Sequence, residues 1–381
     1  MTSTAARPRW TEVDGLRGIA ILLVVVFHFF ALPTRHAAVP RSLWAYSGAI
    51  LEMGWTGVDL FFVLSGFLIG GILIDERGSP NFFSAFYARR AYRILPPYIA
   101  ICGMFLVVAS LATGRAVLQP LVVRAIPWGY VLTLTQNFWM GTHGGSPFLG
   151  VTWSLAVEEQ FYLAVPFAVR WLAPRHLANL VVGVLVLAPL TRIWVYVWHP
   201  AWPMAPYTFP FCRADALMMG VGVALALRNE RAWQAIIARR RQVYVACAVL
   251  SAGIAALIMA RLGANHVVTV TIGYSWIAAF YAVVLVIALM DGGRGRTRIL
   301  RLQMFRTLGR LAYSTYLLHI PVSALAFALV LRHRPQLTSR ADATLYVASV
   351  AMTLGLAQLS WWGMERHMIA RGHRHRYRDA D

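Results

Sequence analysis

The chain has 381 residues, of which 59% are hydrophobic and only 13% are charged. Soluble domains carry about 25% charged residues, so this composition excludes a water-soluble globule of this length, intrinsic disorder and a fibrous repeat. Apolar runs of about 18 residues or more recur along the chain, and each is long enough to cross the hydrocarbon core of a membrane as a helix. The sequence therefore predicts an all-α, polytopic membrane helical bundle.

The chain has a net charge of +20, from 35 basic and 15 acidic residues, and every basic residue is an arginine. The arginines cluster between apolar segments, as the positive-inside rule expects of cytoplasmic loops. Nucleic-acid binding is disfavoured, because nucleic-acid-binding proteins present a solvated basic face. The three cysteines are isolated and show no metal-ligand spacing, so we interpret them as apolar packing residues. We expect neither a metal nor a permanently bound cofactor.

Ten apolar segments are predicted to span the membrane, in chain order 15–32, 54–74, 94–112, 153–173, 177–198, 213–227, 242–260, 267–290, 308–331 and 341–363. A further piece, 121–137, is ambiguous. The arginine-rich segments can all be cytoplasmic only if this piece does not span or spans twice. Without it, the chain makes about ten crossings and both termini are cytoplasmic. We predict one transmembrane domain over 10–365, a basic cytoplasmic tail over 366–381 and no appended soluble domain.

The first predicted helix carries Arg17 and His28, eleven residues apart. At 100° and 1.5 Å per residue, both side chains leave one helix face about 16 Å apart along the axis. Ionisable groups inside a membrane indicate function by default, and this face offers an anion anchor and a group that can take a proton. In the simpler alternative, Arg17 reaches lipid headgroups and His28 bonds a neighbouring helix.

The second helix contains Asp59, which could accept an N–H from an imidazole or pair with an arginine. Its Ser65-Gly66 pair is as compatible with close helix packing as with a functional role. The basic segment before the third helix places Arg90 and Arg93 on one side of a helix, with Arg89 on the flank. These guanidinium groups suit a phosphate, although positive charge facing anionic lipid explains them as well.

The fourth helix contains Glu158 and Glu159 in an apolar stretch. Glu158 shares a face with Tyr162, whereas Glu159 points about 100° away. We expect Glu158 to face the interior, paired with an arginine or histidine, and Glu159 to lie nearer the outer interface. A structural ion pair and a catalytic role remain alternatives for Glu158.

Two further polar groups lie in the later helices. Arg213 and Asp215 open the sixth helix, where they could complete a polar cluster with Asp59 or form an ordinary interfacial ion pair. His319, a single histidine in the ninth helix, is interpreted as a packing residue.

Taken in order, these segments resemble the acyltransferase-3 family of bacterial inner-membrane proteins. The resemblance runs from about Trp10 to Glu365. It is carried by DGLRG from Asp14 together with His28, GVDLFFVLSGF from Gly57, RAYR from Arg90 with the following LPP, WSLAVEEQFY from Trp153, RADALMMG from Arg213 and LAYSTYLLH from Leu311.

The resemblance implies ten helices and transfer of an acyl group, usually acetyl from acetyl-CoA, to a hydroxyl of a carbohydrate or lipid-linked glycan. Arg17, His28, Arg90 and Arg93 match family positions implicated in donor use and catalysis. The expected partners are acyl-CoA, a glycan acceptor such as O-antigen or exopolysaccharide, and membrane lipids. The expected location is the bacterial inner membrane. Absence of a fused SGNH-type domain favours a stand-alone carbohydrate acyltransferase.

The mechanistic hypothesis places the acetyl-CoA phosphates on Arg90, Arg93 and Arg17, and the thioester near His28. His28 is expected to act as general base or to accept the acyl group itself. The catalytic set is completed by Glu158 or Asp59, either of which would orient the imidazole.

Substrate contacts are assigned to Tyr162, Arg213 and Asp215. The alternative function is a proton-coupled transporter or flippase that uses His28 and Glu158 as a proton relay. The sequence contains no internal repeat of the kind common in transporters.

Overall fold

The computed structural model describes residues 10–34, 43–123 and 125–378. These residues form helices and no strands. Ten helices have 20 residues or more, and we number them in chain order: α1 Thr11–Ala31, α2 Gly48–Asp75, α3 Phe82–Ala112, α4 Thr152–Trp171, α5 Pro174–Trp198, α6 Ala205–Arg228, α7 Arg240–Met259, α8 Thr269–Met290, α9 Gln303–Leu331 and α10 Arg340–Gly372.

Nine of these ten helices in the described chain are long and apolar enough to cross a membrane. The exception is α4, whose 20 residues include Glu158, Glu159 and Gln160 at its centre. These three polar residues lower the hydropathy of a helix that is otherwise of membrane length. The predicted polytopic helical bundle is therefore confirmed, and the orientation of its termini stays a prediction.

The ambiguous segment 121–137 does not form one long helix. Around it, the described residues form the short helices Gln119–Val122, Trp128–Leu132 and Gln136–His143. The longest has eight residues, far fewer than the roughly 20 that a crossing needs. This favours the prediction of ten crossings.

The centre of the bundle is built on very close helix contacts at glycines. A Cβ atom added to Gly66 of α2 would lie 1.8 Å from the carbonyl oxygen of Leu217 in α6, and one on Gly220 would lie 2.1 Å from that of Val63. Only hydrogen on the Cα atom allows the two backbones to approach this closely. The α2–α6 crossing thus buries the middle of α2, the most enclosed of the apolar helices in the described chain.

A second crossing of the same kind joins α1 to α9. A Cβ atom on Gly18 would lie 1.9 Å from the carbonyl oxygen of Phe305, and one on Gly309 would lie 2.1 Å from that of Asp14. The helix that carries Arg17 and His28 is therefore fixed against α9, which carries His319. By contrast, α7 has no buried residue and presents Val245 and Val249 outward, as expected of a helix that faces lipid.

Among the described residues, four helices contain a π-helical turn, at Phe27–Ala31, Thr269–Gly273, Phe327–Leu331 and Trp361–Glu365. Such turns are rare and are frequent at functional sites. His28 lies in the first turn and Glu365 in the last. Both residues line cavities, and their settings are described next.

Candidate active site

Three neighbouring cavities run through the bundle between α1, α2, α4 and α9. The arginine mouth, of about 400 Å³, is lined by residues that include Arg17, Arg93, Arg306, Arg310, Trp361 and Glu365. The arginine cavity, of about 300 Å³, is lined by residues that include Arg17, Arg90, Arg93, Glu158, Tyr162 and Tyr316. The histidine cavity, of about 520 Å³, is lined by residues that include His28, Trp55, Trp153, Tyr207, Tyr316 and His319.

The cavities adjoin because they share lining residues. The arginine mouth and the arginine cavity have Asp14, Arg17, Arg93 and Tyr313 in common. The arginine cavity and the histidine cavity have Val58 and Tyr316 in common. Arg17 and His28 thus both reach one cavity system from α1, which agrees with the predicted shared helix face.

Arginine side chains from three helices border the first two cavities. Arg90 and Arg93 belong to α3, which begins at Phe82 and so carries the basic segment as its first turns. The Arg90 guanidinium lies 5.7 Å from the centre of the Tyr162 ring, within cation–π range. Arg17 from α1 and Arg306 from α9 add two more positive groups. The planar guanidinium binds phosphate oxygens bidentately, so these cavities suit a ligand with several phosphates.

Arg89, predicted on the flank of this cluster, contacts the basic tail. Its Nε donates to the carbonyl oxygen of His375 at 2.9 Å, and its guanidinium lies 4.7 Å from the Tyr377 ring. The basic tail therefore folds back against α3. His373 of this tail lines the arginine mouth. Burial, together with Arg89 and its neighbouring arginines, holds the pKa of His373 below its ordinary value, so near pH 7 His373 adds no charge to the mouth.

Glu158 lies in the arginine cavity and is held by hydroxyl groups. Ser65 Oγ donates to its Oε1 at 2.7 Å, and the Tyr162 hydroxyl donates to its Oε2 at 3.2 Å. The predicted interior position is correct, but hydroxyls replace the direct arginine or histidine partner that the sequence led us to expect. Arg17 and Arg90 line the same cavity and supply the compensating charge at longer range.

Tyr316 of α9 stands where the arginine cavity meets the histidine cavity. Its hydroxyl lies 2.6 Å from Ser154 Oγ and donates to the carbonyl oxygen of Val151 at 3.1 Å. Its ring centre lies 5.8 Å from that of His319. A chain that passes from the arginine side to His28 therefore passes this side chain.

His28 meets a second imidazole at the histidine cavity. His319 Nε2 lies 3.3 Å from His28 Nδ1, and the two ring centres are 4.9 Å apart. His319 is fully buried, and its own Nδ1 lies 2.8 Å from the carbonyl oxygen of Tyr316. Interpreting His319 as a packing residue missed this contact, because no sequence pattern shows that residues 291 positions apart, on α1 and α9, meet at one point.

The predicted residues Asp59, Arg213 and Asp215 form a separate buried cluster. Arg213 Nη2 lies 2.5 Å from Asp59 Oδ1, and Arg192 of α5 lies 2.9 Å from Asp215 Oδ2. All four side chains are at most 2% exposed. None of the four is among the described residues that line the three cavities. Of the two alternatives for Asp59, the structure shows the pairing with arginine.

Comparison with known proteins identifies the family. A profile described as an acyltransferase domain (Acyl_transf_3) matches residues 10–362. The chain belongs to this acyltransferase-3 family. The match includes all ten long helices except the last ten residues of α10, so it contains every lining residue of the arginine cavity and the histidine cavity, whereas the arginine mouth also uses Glu365, Ile369 and His373 from beyond it. No solved structure matches the chain significantly.

Two curated relatives are similar over most of this acyltransferase chain. The peptidoglycan O-acetyltransferase OatA of Listeria monocytogenes is 25% identical over 378 residues, which cover 94% of this chain and 56% of the relative. The putative membrane-bound transacylase BcsY of Komagataeibacter xylinus is 31% identical over 332 residues, covering 82% and 72% respectively. The chain thus spans little more than half of the Listeria protein.

The residues predicted for this acyltransferase-3 family member therefore divide into two groups. Arg17, Arg90, Arg93, Glu158 and Tyr162 surround the arginine cavity, and His28 lies in the adjoining histidine cavity. Tyr162, predicted to contact substrate, thus lies beside the arginines. Asp59, Arg213 and Asp215 lie in the buried ion-pair cluster.

Proposed function

We propose that this protein is a membrane O-acyltransferase that moves an acyl group, in the simplest case acetyl, from acyl-CoA to a hydroxyl of a carbohydrate or lipid-linked glycan. His28 acts as the general base. The observation that carries the proposal is the junction of an arginine-lined cavity with a histidine-lined cavity at Val58 and Tyr316. Family membership and relatives named as O-acetyltransferase and transacylase support the same activity.

The arginine side suits the donor because coenzyme A carries a 3′-phosphate and a diphosphate at one end and a thioester at the other. Arg17, Arg90 and Arg93 bind the phosphates, and the pantetheine arm follows α1 past Tyr316. The rise of α1 between Arg17 and His28 is about 16 Å. A ligand with an anionic head and a long reactive arm matches this separation, whereas a compact anion does not.

The histidine side suits a sugar acceptor. Trp153 and Tyr207 have ring centres 4.6 Å apart and line the cavity together with Trp55. Aromatic side chains offer apolar faces with polar edges, which match the alternating C–H and hydroxyl groups of a sugar ring. Ser146 and Asn265 add hydrogen-bonding groups to the same lining.

In the chemical step, His28 Nε2 takes the proton from the acceptor hydroxyl. The hydroxyl oxygen bonds to the thioester carbonyl carbon, the carbon–sulfur bond breaks, and an ester forms. The departing CoA thiolate takes the proton from the His28 imidazolium, which restores the neutral base. These chemical steps require no metal or redox group.

The choice of acyl-CoA as donor also determines the proposed orientation, location and partners of the protein. Because acyl-CoA is cytosolic, the arginine mouth and the basic tail face the cytoplasm, and the protein is a multi-pass protein of the bacterial inner membrane. Acyl-CoA is a substrate consumed in each turnover, and the steps proposed above require no permanently bound cofactor. Membrane lipids and the glycan acceptor complete the set of partners.

The test uses purified protein in liposomes with radiolabelled acetyl-CoA and a membrane glycan extract. Wild type should release CoA and label the glycan. His28→Ala should lose both while still gaining thermal stability from acetyl-CoA, because the arginine side is intact. If wild type neither binds nor consumes acetyl-CoA, the proposal is wrong, and a proton-coupled transporter becomes the better interpretation of His28 and Glu158.

A further inference from the structure

The hydrogen-bond partners of His28 determine which of its ring nitrogens carries the proton. His28 Nδ1 lies 2.9 Å from the carbonyl oxygen of Val24. A carbonyl oxygen only accepts hydrogen bonds, so in the neutral ring Nδ1 must be the protonated nitrogen. Nε2 is then the basic nitrogen of His28, the one that can take a proton from an acceptor hydroxyl.

His319 is fixed in the same way by the backbone of α9. Its Nδ1 lies 2.8 Å from the carbonyl oxygen of Tyr316 and 3.2 Å from that of Thr315. Both oxygens are acceptors, so Nδ1 of His319 carries its proton, and its Nε2 presents a lone pair. This Nε2 is the atom that lies 3.3 Å from His28 Nδ1. The two tautomers are therefore mutually consistent: the one Nδ1–H of His28 is shared between the Val24 carbonyl oxygen at 2.9 Å and His319 Nε2 at 3.3 Å, and both of these atoms accept.

We propose that His319 is a positioning residue that holds the His28 ring with Nδ1 protonated, which leaves Nε2 as the nitrogen that takes the proton from the acceptor hydroxyl. This role extends the proposed function and rests on it. It is the role that an aspartate has in a serine-protease triad, and the sequence led us to assign it to Glu158 or Asp59. Those carboxylates are engaged by Ser65 and Tyr162 and by Arg213.

Burial explains why an imidazole suits this position. His319 has no exposed surface, so an ionised carboxylate there would lose its hydration at a large cost. A neutral imidazole accepts the same hydrogen bond at a much smaller desolvation penalty. None of the described residues that line the histidine cavity is acidic. The close α1–α9 crossing at Gly18 and Gly309 keeps the two rings in register.

Two substitutions separate the two bonds that His319 makes. In His319→Asn the amide N–H replaces Nδ1 and can still donate to the Tyr316 carbonyl, but the side chain is too short to reach His28. In His319→Gln the distal amide oxygen replaces Nε2 and can still accept from His28 Nδ1. We expect His319→Asn to lower kcat by about tenfold to a hundredfold, with the KM for acetyl-CoA within about twofold, and His319→Gln to recover most of that loss.

The kinetic test compares CoA release by wild type and both variants in liposomes. An equal fall of kcat in both variants, or no fall in His319→Asn, would overturn the proposal. A residue that only packs needs no hydrogen-bond acceptor at this position, so its role would not depend on whether the new side chain can accept from His28. Thermal unfolding of each variant gives the folded fraction to which kcat is referred.

A spectroscopic readout tests the tautomers without relying on turnover. Solid-state NMR of protein labelled with ring-¹⁵N histidine, with His28→Gln used to assign the signal, should show the His28 proton on Nδ1. A proton on Nε2 contradicts the inference. If wild type releases no CoA but His28 has the expected tautomer, the proposed function fails while the inferred tautomer of His28 stands.

Discussion

Arg93 is the arginine whose position predicts the clearest loss of donor binding. It lines the arginine mouth and the arginine cavity, so its guanidinium can reach a phosphate from either side. Hydrogen bonds to charged groups contribute about 1.5–3 kcal/mol. We therefore expect Arg93→Gln to raise the KM for acetyl-CoA by about tenfold or more, with a smaller effect on kcat.

The matched control for Arg93 is Arg228→Gln, which removes the same charge outside the three cavities. Arg228 pairs with Asp75 in a partly exposed bridge, and such bridges contribute about 1 kcal/mol or less. Steady-state kinetics over a range of acetyl-CoA concentrations checks both variants. Equal increases in KM would show that net charge, and not the position of Arg93, governs donor binding.

The Asp59–Arg213 pair predicts a loss of stability. Removing one partner of a buried ion pair leaves the other charge without compensation, at a cost of about 3–5 kcal/mol. We expect Asp59→Ala to lower the melting temperature strongly, and the double substitution Asp59→Leu with Arg213→Met to restore most of it. The measurement is thermal unfolding in detergent. A stable Asp59→Ala protein that has lost turnover would instead support the predicted catalytic role of Asp59.

The sequence predicted residue types more successfully than residue partners. Intramembrane charge selected Arg17, His28, Glu158 and Asp59, and all four lie in polar clusters of the interior. Their partners depend on which helices cross at which height, and no periodicity along one helix contains that information. For this reason Glu158 was assigned an arginine or histidine partner in place of Ser65.

At the scale of the helix, Gly66 predicts the cost of adding one methyl group to the α2–α6 crossing. A Cβ atom there would lie 1.8 Å from the Leu217 carbonyl oxygen, so the two helices must separate. Overpacking of this kind costs about 1–3 kcal/mol. We expect Gly66→Ala to lower the melting temperature. Gly103→Ala on α3, which has no heavy atom within 4 Å of the added Cβ, should leave it nearly unchanged.

The melting temperatures of these two alanine variants are measured side by side in the same detergent. An equal effect of both substitutions would mean that the added methyl group acts through helix propensity or the unfolded state. A stable Gly66→Ala protein would contradict the close approach of α2 and α6.

The helices were predictable where hydropathy defines them and less so where it does not. The third predicted span, 94–112, begins in the structure at Phe82, because its basic first turns continue the helix while lacking apolar character. The π-helical turn at Phe27–Ala31 has no sequence signature that a regular 100° repeat detects. His28 is only the second residue of this turn, and the helix from Arg17 to Val26 is regular, so the prediction of a shared face was not disturbed.

At the scale of the whole molecule, the cavities divide the bundle into an end proposed to bind the donor and an end proposed to bind the acceptor. The arginine mouth lies near the start of α1, together with the basic tail, and the histidine cavity lies near the end of α1, beside residues of the 145–150 loop. If the donor end is cytoplasmic, acetyl-CoA added from outside an intact cell membrane cannot reach the arginines. The sidedness of donor use is therefore a direct consequence of the architecture.

We expect inside-out membrane vesicles to release CoA from added acetyl-CoA, and sealed right-side-out vesicles to do so only after permeabilisation. A protease-sensitive tag after residue 381 reports orientation in the same preparations, and it should be cleaved in the inside-out vesicles alone. Turnover in sealed right-side-out vesicles with a protected tag would place the arginine mouth outside. That result would put the donor site and the basic tail on opposite sides of the membrane, although both border α3. It would contradict the assignment of Arg17, Arg90 and Arg93 to a cytosolic donor.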